Sequence, residues 1–266
     1  MNLINKTVVL LYSAILISAN NLFAQDDAAE LAKKLANPIA SLISAPLQNN
    51  SDFGIGELKG SRNTLNIQPV VPISLTPKLN LIARVVVPVM TQYNITGEGQ
   101  SQSGLGDAVL SGFFGPSESK NGFTWGAGPA ILLPIGTRAF TANEFGIGPT
   151  AVALKQQAGW TYGALANQIW TVGGDESNSN ISQMFIQPFF VHNWKSGAGI
   201  GGNFEWTLNW TANTSILWFN PVLSGVTALG TQKVQLAIGP RFNLDAPDGA
   251  KADWGLRSVI VFLFPK

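Results

Sequence analysis

The single histidine, His192, is the side chain best suited to acid–base chemistry in this sequence. It lies in "IQPFFVHNWKSG", near a predicted turn, and a nearby serine would be needed to make it a nucleophilic site. The sequence has no GxSxG elbow, no metal-ligand cluster and no phosphate loop, and the glycine-rich "GIGELKG" and "GLGDAVLSG" do not open a helix after a strand. We therefore predict that the protein is not an enzyme and binds no cofactor or metal, and we interpret His192 as an interfacial turn residue.

The composition excludes several other classes of site. The chain has no cysteine, so disulfides, thiolate metal sites and cysteine nucleophiles are absent. Its net charge is +1 and only 12% of its residues are charged, which gives no reason to propose nucleic acid as a partner.

The first 24 residues have the layout of a secretory signal peptide. Lys6 precedes an apolar run that reaches Ala19, and Ala24 offers a small residue at a cleavage point before Gln25. The alternative, an uncleaved anchor, is disfavoured because the run is shorter than the roughly 20 residues that a spanning helix needs. We predict residues 1–24 to be a cleaved signal peptide.

Most of the remaining chain alternates apolar and polar residues with the period of a β-strand. In "GGNFEWTLNWT", for example, Phe204, Trp206 and Leu208 share one parity, opposite Asn203 and Glu205. Twelve such segments are predicted, near 48–57, 61–75, 78–94, 104–116, 122–137, 144–157, 159–173, 180–195, 198–211, 214–228, 231–245 and 252–264.

The number, length and spacing of these segments favour a transmembrane barrel. The segments are about 10 to 16 residues long, whereas soluble strands usually have 5 or 6, and their connections tend to alternate between tight and longer polar ones, as in outer-membrane barrels. Six aromatic residues near segment ends fit interfacial girdles: Trp160, Trp170, Trp194, Trp210, Trp254 and Phe264. We predict an all-β antiparallel transmembrane β-barrel of about 12 strands over residues 48–266. A periplasmic β-sandwich is the alternative, because parity alone does not say which face is outside.

Prolines recur within the predicted strands, although proline cannot donate to a ladder. Pro69, Pro129, Pro149, Pro188 and Pro240 each fall on the apolar parity, and each follows a Gly or Gln on the other parity. We interpret them as a repeated kink or bulge in barrel strands, with the ring facing lipid. Pro72 and Pro88 do not follow this rule and suggest only local bulges.

Several stretches resemble one bacterial family along essentially the whole mature chain. They include "GSRNTLNIQPVVPISL", "SQSGLGDAVLSGFFGP", "WGAGPAILLP" and the ending "WGLRSVIVFLFPK". They resemble outer-membrane transporters related to the phenol-degradation MetA-pathway proteins, which are often mislabelled neuromedin U. The resemblance implies an outer-membrane barrel that passes small molecules, but it brings no substrate and no binding motif. The ending departs from a simple sorting signal, because both faces of "SVIVFLF" are apolar and the chain ends in Pro-Lys.

The polar parity of the strands supplies candidate lumen-lining residues, in which arginines outnumber acids. A lumen that favours anionic or polar solutes is one interpretation, and paired charges that close the interior are the other. The candidates are Arg62, Asn66, Gln68, Arg84, Asp107, Gln187, Asn203, Glu205, Lys233, Gln235, Arg241 and Arg257.

Residues 25–47 precede the predicted barrel and form an N-terminal helical segment. Leu31, Leu35, Ile39 and Leu42 recur at helical spacing, and Pro38 is expected to break the run. We favour a plug in the periplasmic mouth over a helix on the membrane surface or a disordered leader.

These observations together predict a channel or transporter for small molecules, including hydrophobic or aromatic ones, in the bacterial outer membrane. Its expected partners are outer-membrane lipid, an unidentified solute and the barrel-assembly machinery during biogenesis. The alternatives are a structural or loop-interaction barrel without transport and, less favoured, a lipid-directed enzyme that uses His192.

Overall fold

The computed structural model describes residues 25–172 and 180–264, so the predicted signal peptide lies outside the described residues. It contains one α-helix, α1 (Gln25–Leu35), and a short 3-10 helix, Asp248–Ala250. The strands, in chain order, are β1 (Ile43–Ile55), β2 (Gly60–Ile67), β3 (Val70–Thr76), β4 (Leu79–Tyr93), β5 (Ser101–Leu105), β6 (Ala108–Pro116), β7 (Phe123–Leu133), β8 (Gly146–Gln157), β9 (Trp160–Thr171), β10 (Ser182–Asn193), β11 (Ala198–Asn209), β12 (Thr214–Leu229), β13 (Gln232–Asp245) and β14 (Trp254–Phe264). None of the described helices is long and apolar enough to cross a membrane.

The strands form one closed antiparallel barrel. From β6 onward each strand pairs with the next one in the chain, and β1 pairs with β14 from Ile43↔Phe264 to Phe53↔Trp254, which closes the sheet on itself. The segments β2 and β3 both pair with β4 and make one barrel strand, as do β5 and β6. The barrel therefore has twelve strands, which confirms the predicted fold class.

The apolar parity faces outward. Exposed large side chains of the strands include Val71, Ile147, Ile200 and Leu223, whereas buried polar or charged ones include Asn50, Thr150, Asn220 and Arg257. This is the reverse of a soluble sandwich, which buries its apolar face, and it is the arrangement of a barrel in lipid.

The two ends of the barrel differ. The end that holds Ile43 and Phe264, called the terminal mouth below, carries tight connections, whereas the far end carries longer ones on average. Connections at the terminal mouth are 77–78, 117–122, 158–159, 194–197 and 230–231, and those at the far end are 56–59, 94–100, 134–145, 172–181, 210–213 and 246–253.

The predicted aromatic residues lie exposed at both rims. Trp160, Trp194 and Phe264 are at the terminal mouth, and Trp170, Trp210 and Trp254 are at the far end. This distribution matches the two interfacial girdles that lipid-embedded barrels carry.

The first strand begins at Ile43, five residues before the predicted start at 48. Its first residues, "ISAPL", have a weak alternation, and their inward residues Ser44 and Pro46 line a cavity that residues of the preceding segment also line. The segment that precedes the barrel is therefore residues 25–42, called the N-terminal segment below.

Four of the five prolines on the apolar parity interrupt the ladder on one side only, whereas Pro69 lies between β2 and β3, outside both strands. Pro129 pairs with Pro149 on β8, but the ladder between β7 and β6 has a gap between Ser111↔Ala130 and Phe114↔Ala127. Comparable gaps lie beside Pro149, Pro188 and Pro240. The register is unchanged across these gaps, so the prolines make local breaks in the ladder and not bulges.

Three of these prolines follow a glycine that the packing requires. A Cβ on Gly128, Gly148 or Gly239 would collide with a backbone carbonyl oxygen of the neighbouring strand. The backbones therefore approach more closely than a side chain permits, at the positions where the ladder is broken.

Pro72 and Pro88 have separate explanations. Val85 donates to the Pro69 carbonyl, so the backbone groups of residues 69, 71 and 73 face β4. Because these directions alternate along a strand, the backbone nitrogen of Pro72 points away from β4. Pairing with β1 ends at Ser44↔Val70, and Pro72 therefore lies on a free edge where no donor is needed. Pro88 lies where the register of β4 shifts by one residue, between its pairing with β5 and with β6.

Candidate functional site

The interior of the barrel brings most of the predicted lumen residues together. Arg257, on β14, is the centre of this group and is only 2% exposed. Its Nε donates to Asn50 Oδ1 at 2.9 Å, and one of its terminal nitrogens donates to both carboxylate oxygens of Glu205 at 2.8 and 2.9 Å. A weaker bond, at 3.4 Å, reaches Asn203 Oδ1, which also accepts from Asn220 at 2.8 Å. Arg257 is thus held on three sides.

A second arginine, Arg241, extends this group. Its Nε lies 3.4 Å from Asp52 Oδ1, where the geometry is that of an ion pair without a hydrogen bond. Another of its nitrogens lies 3.9 Å from Glu205, and its guanidinium stacks 4.2 Å from the ring centroid of Trp218. We call Arg241, Arg257, Asp52 and Glu205 the arginine cluster. It contains two positive and two negative charges, as a buried group requires.

Two further inward arginines stand outside this balance. Arg62 donates to Gln92 Oε1 at 3.1 Å, and Arg84 donates to Gln68 Oε1. Within residues 25–172 and 180–264, neither forms an ion pair within 4.0 Å. Both interpretations of the lumen charges therefore find residues that fit: Arg241 and Arg257 are paired, whereas Arg62 and Arg84 add positive charge to the lumen.

The other predicted lumen residues have more varied surroundings. Gln187 donates to Glu205 at 3.3 Å, and Lys233 lies 3.6 Å from Asp27 of α1. Asn66 faces inward between Gln48 and Pro88.

Asp107 has a structural role that the parity did not indicate. Its carboxylate accepts the backbone N–H groups of Gly136, at 3.0 Å, and Ala142, at 2.7 Å, and so ties the 134–145 loop to the wall. Its charge is therefore engaged by backbone donors.

Several interior residues were absent from the predicted set. Asn50 and Asp52 lie on the inward parity of β1, and this parity could have identified them. Trp218 could not have been found in this way, because an aromatic residue next to "FNP" suggests the lipid face and not a partner for an arginine.

Part of the interior is apolar. Ile82, Phe113, Val152, Leu154 and Leu165 form a buried cluster that also includes Ile39 of the N-terminal segment. The interior therefore carries an apolar cluster on β4, β6, β8 and β9 in addition to its charged and amide groups.

The N-terminal segment lies inside the terminal mouth. Gln156 of β8 donates to the Lys33 carbonyl at 2.8 Å, and Asn193 of β10 donates to the Ala32 carbonyl at 3.2 Å. Together with the ion pair to Lys233, these contacts join the segment to strands on different sides of the barrel. Ala32 is completely buried.

The packing of this segment accounts for the two apolar faces of the last strand. Leu31 and Leu42 form a buried cluster with Val261 and Leu263 of β14, and Leu35 and Val259 pack against it. The inward residues of β14 are apolar because they contact the N-terminal segment, and the outward ones because they face lipid.

A cavity of about 220 Å³ separates the N-terminal segment from the barrel wall. The segment contributes Lys34 and Leu35 to its lining, and the wall contributes Gln68, Val70 and Arg84. Lys34 forms an ion pair with Glu30 at 2.7 Å, and this hydrogen bond lowers the pKa of Glu30.

His192 lies outside the lumen. Its ring packs against Trp160, with centroids 4.7 Å apart, and against Trp194 at 5.5 Å, at the terminal rim. No side chain of the described part of the protein forms a hydrogen bond with Nδ1 of His192. The surroundings are those of an aromatic girdle residue.

Comparison with known structures supports the fold. The crystal structure of the COG4313 outer membrane channel from Pseudomonas putida F1 aligns with a TM-score of 0.67 and 14% identity, over 84% of this chain and 96% of that chain. Two structures of OmpT, an outer membrane protein of Vibrio cholerae, align with TM-scores of 0.40 and 0.39 at 9% and 10% identity, each over 84% of this chain and over 96% and 98% of theirs. No protein-family model and no curated protein matches the chain. The protein thus has the fold of an outer-membrane β-barrel, and at this level of identity the likeness concerns the fold alone.

Proposed function

We propose that this protein is an outer-membrane channel through which small molecules cross in the lumen. The observation that carries the proposal is the combination of an apolar outer surface with an interior that contains charged and amide groups and retains a cavity of about 220 Å³. A barrel that only anchored loops would have no need of unpaired inward arginines such as Arg62 and Arg84.

The expected solutes are small and amphiphilic. The interior offers guanidinium and amide donors, and the cluster around Phe113 and Leu165 offers apolar contact. A hydrophobic or aromatic solute that carries a polar group would find both kinds of contact.

The N-terminal segment acts as a plug in this proposal. It packs in the terminal mouth through Leu31 and Leu42 and through hydrogen bonds from Gln156 and Asn193. Displacing it would widen the path without breaking the β1–β14 seam.

We further propose that the chain is exported by cleavage of residues 1–24, is inserted by the barrel-assembly machinery and resides in outer-membrane lipid. The resemblance to the MetA-related transporters supports this proposal, as does the similarity in fold to a channel.

Planar-bilayer conductance tests the proposal. Refolded protein would be compared with a variant that lacks residues 25–42, a deletion that ends before β1. A point variant, Leu31→Asp, removes one buried contact of the plug, and Lys33→Asp, on the exposed side of α1, is its matched control.

We expect steady conductance that rises on deletion and with Leu31→Asp, but not with Lys33→Asp. If neither the intact protein nor the deletion variant conducts, the channel proposal is wrong. It would favour the structural barrel, for which the buried contacts of Arg257 are the supporting observation.

A further inference from the structure

We propose that the cavity beside the N-terminal segment is a binding site for a small amphiphilic carboxylate, with Arg84 as the residue that binds the anion. This inference deepens the proposed function, because it names a solute class for the channel. The binding site itself does not depend on conduction.

The charge of the cavity favours an anion. Its lining contains two cations, Lys34 and Arg84, and no carboxylate. Lys34 is already paired with Glu30. Arg84 has no carboxylate within 4.0 Å in the described residues, and Glu205, which attracts it from farther away, is already bound by Arg257. Its guanidinium can therefore still bind a ligand in the cavity.

The guanidinium of Arg84 is fixed but not saturated. One terminal nitrogen donates to Gln68 Oε1, and the Gln68 residue is only 7% exposed. A guanidinium has five N–H donors in a planar fork that matches a carboxylate, so donors remain for a bidentate contact. The bond to Gln68 holds the group in place before the ligand arrives, which limits the entropy lost on binding.

The rest of the lining suits an amphiphile. Gln48, Gln187 and Gln235 supply amide groups to the lining. Leu42, Val70 and Val261 supply apolar surface. An inorganic anion would not use this surface, and a neutral apolar molecule would not use Arg84.

The size of the cavity limits the ligand. Pockets for drug-sized ligands measure about 300–1,000 Å³, and this cavity is smaller, at about 220 Å³. It therefore suits a carboxylate attached to one aromatic ring or to a short alkyl chain.

The test is a binding measurement on the folded protein in detergent. Fluorobenzoate binding would be followed by fluorine NMR, with fluorobenzyl alcohol and trifluoroacetate as probes that lack the charge or the ring. Arg84→Gln is compared with Arg62→Gln, a matched control because Arg62 also bonds one glutamine and forms no ion pair, but does not line the cavity.

We expect fluorobenzoate to bind more tightly than either comparison probe, and Arg84→Gln to weaken it at least about tenfold, the effect of losing a charge-assisted hydrogen bond. Arg62→Gln should change it less than about twofold. Absence of binding to the unaltered protein, or equal losses in both variants, would overturn the assignment.

Conductance of the same samples separates this proposal from the channel proposal. If fluorobenzoate binding depends on Arg84 but the barrel does not conduct, the binding-site proposal is supported and the channel proposal is refuted. If the barrel conducts but Arg84→Gln does not weaken fluorobenzoate binding, the channel proposal is supported and the binding-site proposal is refuted.

Discussion

Replacing Glu205 by glutamine should destabilise the barrel severely, although the two side chains have the same shape. Glu205 accepts two bonds from Arg257 and lies 3.9 Å from Arg241. The side chains of the arginines are 2% and 5% exposed, and that of Glu205 is 16% exposed. The variant would leave two buried positive charges against Asp52 alone. Removal of one member of a buried pair costs about 3–5 kcal/mol, and we expect the free energy of unfolding to fall by this amount.

Guanidinium-driven unfolding in lipid vesicles, followed by tryptophan fluorescence, measures this free energy. The control is Asp253→Asn, which removes an ion pair with Lys59 whose side chains are 67% and 56% exposed. Such an exposed pair contributes at most about 1 kcal/mol. If Glu205→Gln and Asp253→Asn cost the same small amount, the arginine cluster does not stabilise the fold and the reasoning is refuted. Adding Arg257→Met to Glu205→Gln should recover part of the loss, because it removes the arginine that has lost its carboxylate and leaves the pair of Arg241 and Asp52 in place.

Two further predictions concern the backbone, and both are measured by the same unfolding experiment. Gly239→Ala should lower the free energy of unfolding by about 1–3 kcal/mol, because the new Cβ would collide with a carbonyl oxygen of the neighbouring strand. Gly225→Ala is the control and should be close to neutral, because a Cβ at that position meets nothing within 4 Å. Equal costs for the two variants would contradict the argument that the backbones approach closely at Gly239. Pro72→Ala should change the free energy of unfolding by less than about 0.5 kcal/mol, the range of ordinary surface substitutions, because the backbone nitrogen of Pro72 faces a free edge. A larger change of either sign would show that this edge has a partner.

The strand architecture was predictable because the alternation of apolar and polar residues is a local property of each strand. Which face lies outside did not follow from the alternation, and the strand length, the export signal and the aromatic residues near strand ends favoured the apolar one. The parity of Phe204, Trp206 and Leu208 against Asn203 and Glu205 is a local property, and the structure confirms it. The start of β1 was missed for a physical reason of the same kind. Ser44 and Pro46 line the cavity beside the N-terminal segment, so the open polar lumen that favours alternation elsewhere is absent there.

The contacts within the lumen were not predictable from the same pattern. Arg257 bonds Asn50, which is 207 residues away in the chain, and the two meet only because β14 and β1 close the barrel in one particular register. Parity therefore selects the inward residues, whereas ring closure determines which arginine meets which acid. The role of Asp107 depends on the path of a loop, about which strand periodicity says nothing.

The inner face of the last strand has a consequence for the energetics of opening. If the N-terminal segment left the mouth, Val259, Val261 and Leu263 would be wetted, as would Leu31 and Leu42 of the segment itself. Exposing apolar surface costs about 25 cal/mol per Å². This free energy favours the return of the N-terminal segment to the terminal mouth. The closed state would then be the more stable one in the absence of solute. A solute that bound to these apolar residues would cover the exposed surface and so stabilise the open state.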